Sequence, residues 1–162
     1  MTESLDFANS KLNPRIRIIM MTIAIIIVFV FPYGIHIDLG VGPSGVMAIL
    51  WEYREFQVAA GDPDTLFLTA LEYFIYYLYR FVVLYMIWKY TLGKEQPKKV
   101  IFHGLICELI SLLIDIPAVL FREPGTGHNY IPIMIPIPFL LIYCIILAYY
   151  DYYHKNMGGD TM

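Results

Sequence analysis

This sequence is short of charge. Asp, Glu, Lys and Arg together make up 15% of its 162 residues, where a soluble domain ordinarily carries about 25%. Cysteine is almost absent. Cys107 and Cys144 both sit in apolar surroundings, and no Cys-x-x-Cys spacing occurs. That excludes a disulfide-stapled exterior and a dithiol redox enzyme, and leaves two thiols that read as small apolar fillers. A basic surplus is missing as well. The net charge is −3 and the Lys and Arg residues are scattered, which excludes nucleic acid as a partner. No Ala-x-Ala-like site follows Phe31-Pro32-Tyr33, so the first apolar run is not expected to be a cleavable leader.

What the chain has instead is apolar length. Hydrophobic residues make up 59% of it, and the mean hydropathy is +0.61. Four blocks, 16–36, 65–90, 100–121 and 131–150, each approach the ~20 residues that cross about 30 Å of hydrocarbon. The fold expected from them is all-α and integral to a membrane. It is one antiparallel four-helix transmembrane bundle, because the helices of so small a chain have only each other to pack against. Tails at 1–15 and 151–162, a long loop 37–64, a short turn 91–99 and a loop 122–130 complete the layout.

Eight Lys or Arg residues (Lys11, Arg15, Arg17, Lys89, Lys94, Lys98, Lys99 and Lys155) fall in the tails, in the 91–99 turn or at the adjoining block ends, against Arg54 and Arg122 on the other side. The bias predicts a multi-pass membrane protein with both termini cytoplasmic. Trp88, Tyr90, Tyr149, Tyr150, Tyr152 and Tyr153 then read as an interfacial aromatic belt. In the 37–64 loop, Ser44 can cap an amphipathic helix over 45–58, with Val46, Ile49, Leu50, Tyr53 and Phe56 on one face. This helix is expected to lie on the outer membrane surface.

Within these blocks stand four ionisable residues: Glu72, Arg80, Glu108 and Asp115. Hydrocarbon disfavours each by roughly 2.5–3.5 kcal/mol, so each asks for a reason. At 1.5 Å per helical residue, Glu72 and Asp115 both lie about 9 Å below the outer ends of their helices. Arg80 and Glu108 lie about 15 Å and 12 Å from the opposite ends. An antiparallel pair joined at 91–99 therefore brings Arg80 to Glu108 as a structural ion pair, and Glu72 to Asp115 as a carboxyl pair. Tyr76 and Ser111 support the shared polar face, which His103 and Cys107 extend. Two carboxyls without a counter-charge cannot both ionise in a dry site; one titrates high or a cation binds. Glu72 and Asp115 are thus the candidate ion or proton site.

Prolines gather on the same side: Pro32, Pro117, Pro132, Pro136 and Pro138. Asp115-Ile116-Pro117 reads as a helix break, and a clean final helix can begin only near Pro138. Other motifs carry less. Gly40-Val41-Gly42-Pro43-Ser44-Gly45 matches the dinucleotide G-x-G-x-x-G, but it lacks the strand–helix–strand context that the chemistry requires. His36, Asp38, Glu123 and His128 have no zinc-motif spacing, and His103 is the one intramembrane histidine, which argues against haem. No metal and no cofactor is expected.

Three functional classes remain. The leading expectation is a non-catalytic subunit or scaffold of a membrane assembly, partnered by the lipid bilayer and by other copies or other membrane subunits. The alternative is proton- or cation-linked transport of a small solute through Glu72 and Asp115. A membrane enzyme ranks last, because no nucleophile–base constellation is visible.

Overall fold

A computed structural model describes residues 13–38, 43–56, 64–67, 74–120 and 132–157. It contains four helices: α1 (Pro14–Phe29), α2 (Phe74–Thr91), α3 (Pro97–Leu120) and α4 (Phe139–Met157). Five strands accompany them: β1 (Gly34–Asp38), β2 (Pro43–Met47), β3 (Trp51–Phe56), β4 (Asp64–Phe67) and β5 (Pro132–Pro136). The strands form one antiparallel sheet in the order β4-β3-β2-β1-β5. The all-α expectation is therefore wrong. The architecture is helices packed side by side, joined to a sheet that continues directly from α1 into β1 and from β5 into α4.

The membrane expectation falls with it. Among the described residues, no helix is long and apolar enough to cross a membrane. The physical reason is that the apolar blocks are not single elements. Block 16–36 is cut at Phe31-Pro32: α1 ends at Phe29, and the last residues of the block become β1. Block 65–90 contains most of β4, and block 131–150 contains β5. That leaves α1 with 16 residues, about 24 Å at the helical rise. The long helix α3 has 24 residues, but Lys98, Lys99, Glu108 and Asp115 interrupt its apolar run. Without a spanning helix among the described residues, the Lys/Arg bias assigns no sides, and the cytoplasmic placement of the termini loses its basis. So is the interfacial aromatic belt; Tyr90, one of its members, is buried with its hydroxyl donating to the Leu147 carbonyl at 3.1 Å.

The expected surface helix over 45–58 is instead the β2–β3 hairpin, paired from Pro43↔Phe56 to Met47↔Glu52. Val46, Trp51, Tyr53 and Phe56 suit a pleated strand, and Gly45 is a poor helix residue. The hairpin has a second task. Phe31-Pro32 cannot continue α1, so its last carbonyls need donors. The Leu50 amide donates to Phe29 O at 3.1 Å and Trp51 Nε1 to Val30 O at 2.7 Å. At the far end of α1, the Asn13 side chain accepts from the Arg15 amide at 3.0 Å, with Pro14 in the first turn.

Strand β5 lies at a sheet edge beside β1, the one place where its two prolines cost no central ladder bond. Helix α4 starts directly after Pro138, and α3 carries through Pro117 rather than breaking there. The turn between α2 and α3 is closed by Gly93 at φ 71°. Its amide donates to Tyr90 O at 2.8 Å and the Lys94 amide to Lys89 O at 3.0 Å, the paired bonds of a glycine C-cap. This short closure holds α2 and α3 antiparallel.

The core runs through both layers. Ala24 and Val28 of α1, Val83 and Ile87 of α2, Leu140 and Cys144 of α4 are buried together with Tyr33, Met47 and Met134 of the sheet region. The Tyr143 hydroxyl donates to Met20 O at 2.7 Å and ties α4 to α1. Close approach within the sheet is sharpest at Gly34, where an added Cβ would meet Met134 Sδ at 2.5 Å and Ile135 O at 3.3 Å. Met134 is itself buried and has no open side to retreat to. Gly34→Ala is therefore expected to destabilise the fold by about 1–3 kcal/mol, the ordinary range for overpacking. A chemical denaturation curve with an unchanged midpoint would refute that.

Candidate functional site

Where sheet meets helices, the molecule buries a charged pair. Arg80, two turns into α2, is 2% exposed, and Glu108, midway along α3, is 6% exposed. Arg80 Nη2 lies 3.5 Å from Glu108 Oε2. Charge-assisted hydrogen bonds are usually 2.7–2.9 Å, so this contact holds attraction without a tight bond. Arg80 Nη2 also donates to the Tyr33 carbonyl at 3.4 Å, and its guanidinium sits 5.5 Å from the Tyr33 ring centre. The cation thus reaches from α2 to the segment that enters β1. Arg80 Nη1 and both Glu108 oxygens find no hydrogen-bond partner among the described residues.

Electrostatics follow from this incomplete pairing. Burial pushes the Glu108 carboxyl up to about 7; the Arg80 guanidinium pulls it the other way without restoring the ordinary value. Burial also lifts the Cys107 thiol to about 12, again against the pull of Arg80. Cys144 is raised to about 12 by burial and by neighbouring Cys107 and Glu108. Both thiols remain protonated at neutral pH and do not act as nucleophiles there. Nearer the α2–α3 turn, Tyr79 Oη and His103 Nδ1 are hydrogen-bonded at 2.6 Å.

Of the residues singled out from the sequence, Arg80 and Glu108 are brought together. Tyr76 lies partly buried against the core, one turn before Arg80. Glu72 lies outside the described residues. Asp115 and Ser111 are on α3, but their side chains are outside the described set, so the carboxyl pair has no described geometry. His36 is buried in β1; Glu123 and His128 are outside the described residues. Among the described residues, no three His, Cys, Asp or Glu side chains gather as a metal site.

Two features escaped the sequence reading. One is the contact from Arg80 to Tyr33, which depends on the chain turning into a strand after Pro32. The other is the burial of His36 and Glu52 within the sheet, hidden because hydropathy and helical spacing point to a span and a surface helix there. Period-two alternation over Gly34–Asp38, with His36 buried and Ile35 exposed, was the available signal. It places the polar residue inside, against the usual pattern. Comparison with protein-family models, with curated proteins and with solved structures finds no match to this chain.

Proposed function

We propose that the chain is a non-catalytic subunit of a larger assembly, in which its helix faces pack against other copies or against another apolar subunit. The observation that carries this reading is the apolar surface left uncovered on all four helices. Ile18 on α1, Leu78 on α2, Leu113 on α3 and Ile146 on α4 are each more than half exposed, at 67, 55, 61 and 56%. Neighbours along each helix repeat the pattern. Apolar surface of that extent marks a binding face. A groove of about 280 Å³ between α1 and α4, lined by Ile23, Ile27, Phe139, Ile142 and Ile146 among others, offers a place for a partner's apolar ridge.

The Arg80–Glu108 pair supports the same reading from inside. It joins two helices to the sheet entry, which suits a fixed structural element. The alternative, ion-linked transport through Glu72 and Asp115, has no described contact to carry it. Sedimentation velocity of the chain purified in mild detergent tests the proposal. A stable oligomer, or a stoichiometric complex with one partner, is expected; a clean 18.8 kDa monomer would overturn it.

A further inference from the structure

A second groove lies at the opposite end of the helices from the sheet, between the start of α1 and the end of α2. It measures about 350 Å³ and is walled by Ile18, Met21, Ile25, Trp88 and Leu92, with Arg17 and Thr22 adding polar groups. The position of Arg17 is unusual. It is half-buried, and it makes no ion pair with any described residue. Arg15, two residues earlier, projects from the other side of α1, and Lys89 lies over the Tyr85 ring at 5.0 Å, so Arg17 is the one cation among the described residues that line the groove. Of the described acids nearby, Glu95 is held by Lys99 at 3.0 Å and Asp151 acts on Tyr90. Neither lines the groove.

An apolar trough with one guanidinium at its wall that pairs with no described acid has a definite complement. A hydrocarbon tail removes the trough from water, while an anionic head satisfies the guanidinium, which pairs well with carboxylate or phosphate oxygens. A free anion would gain little without the tail, and an uncharged tail would leave Arg17 partly desolvated and unpaired. We propose that this groove binds a single-chain anionic amphiphile, its tail along Ile18, Met21 and Trp88 and its head group on Arg17. The inference shares exposed Ile18 with the assembly reading, but it rests on Arg17 and the α1–α2 groove, which that reading does not use.

The test is calorimetric titration of the purified full chain with dodecanoate, alongside the fluorescence of Trp88. Saturable binding is expected, with Arg17→Gln weakening it at least tenfold and Lys94→Gln leaving it within twofold. Thr22→Phe, at an exposed position on the groove wall, should block the tail. Dodecanol should bind at least tenfold more weakly than dodecanoate, and acetate should not bind. Circular dichroism of Arg17→Gln should match the parent, because Arg17 caps no core contact. Equal binding of dodecanol and dodecanoate, or an unchanged Arg17→Gln titration, would overturn the proposal. So would an Arg17-dependent Trp88 response to anionic phospholipid vesicles with none to free dodecanoate, which would assign the groove to a lipid surface instead.

Discussion

Replacing Arg80 alone by alanine is expected to cost about 3–5 kcal/mol of folding stability, whereas replacing the pair, Arg80→Met with Glu108→Leu, is expected to be neutral or stabilising by up to about 4 kcal/mol. The asymmetry follows from the geometry. Arg80 is the largest of the fully buried side chains, so its truncation leaves a void and strands Glu108 in a dry site. It also removes the link from α2 to Tyr33. The pair itself gains little, because 3.5 Å is a loose contact and three of its polar atoms lack hydrogen-bond partners among the described residues. Desolvation of both charges then exceeds their attraction. Apolar residues of similar length fill the space without that penalty. Urea denaturation of the single and double variants measures the contrast. A double variant as unstable as Arg80→Ala would show that the pair contributes specific bonding that this geometry does not contain.

Stability should also depend on pH through Glu108. Its folded value, about 7, lies above the ordinary 4.5, so the folded state holds the proton more tightly than the unfolded chain. The stabilisation is fully present below about pH 4.5 and is lost as pH rises through about 7. The gap corresponds to roughly 3 kcal/mol between the two plateaux. Other carboxylates contribute their own slopes, so the relevant quantity is the difference between the parent and Glu108→Gln. That difference should be flat in acid, should move in favour of the variant between about pH 4.5 and 7, and should level off above. A difference constant across the range would mean that Glu108 ionises normally in the folded protein.

How far the sequence reveals this depends on which physical signal each element carries. Arg80 and Glu108 could be paired in advance, because charge in an apolar run is conspicuous and the 91–99 closure sets the register of two antiparallel helices. The sheet was hidden. A window of about 20 residues sums apolar strands and apolar helices alike, and short runs such as Pro132–Pro136 have no period that separates the two. Phe31-Pro32 was a legible stop for α1, yet hydropathy alone carried the block across it. In the β2–β3 hairpin, Val46, Ile49, Leu50 and Tyr53 satisfy helical spacing by coincidence. The competing evidence, Gly45 and a run of β-branched and aromatic residues, was weaker than the apparent cap at Ser44. The carboxyl pair Glu72 and Asp115 followed from the same depth count as Arg80 and Glu108, but only the latter pair falls on described side chains. In the sequence Arg17 is one more basic residue near the N-terminus; its place at a groove wall needs the neighbouring end of α2.

The proposed assembly requires that the exposed apolar faces of the helices be covered by protein. It is tested most directly by photo-crosslinking, with Leu109 of α3 and Ile145 of α4, both exposed, each replaced in turn by a photo-reactive phenylalanine analogue. Exposed Lys94 is the control position. Cys107 and Cys144 are buried and protonated and add no background chemistry. Illumination of the native assembly should give a discrete protein adduct of defined mass at Leu109 or Ile145 and none at Lys94. If both helix positions give no protein adduct, their faces are not covered by a partner chain, and the assembly reading is contradicted.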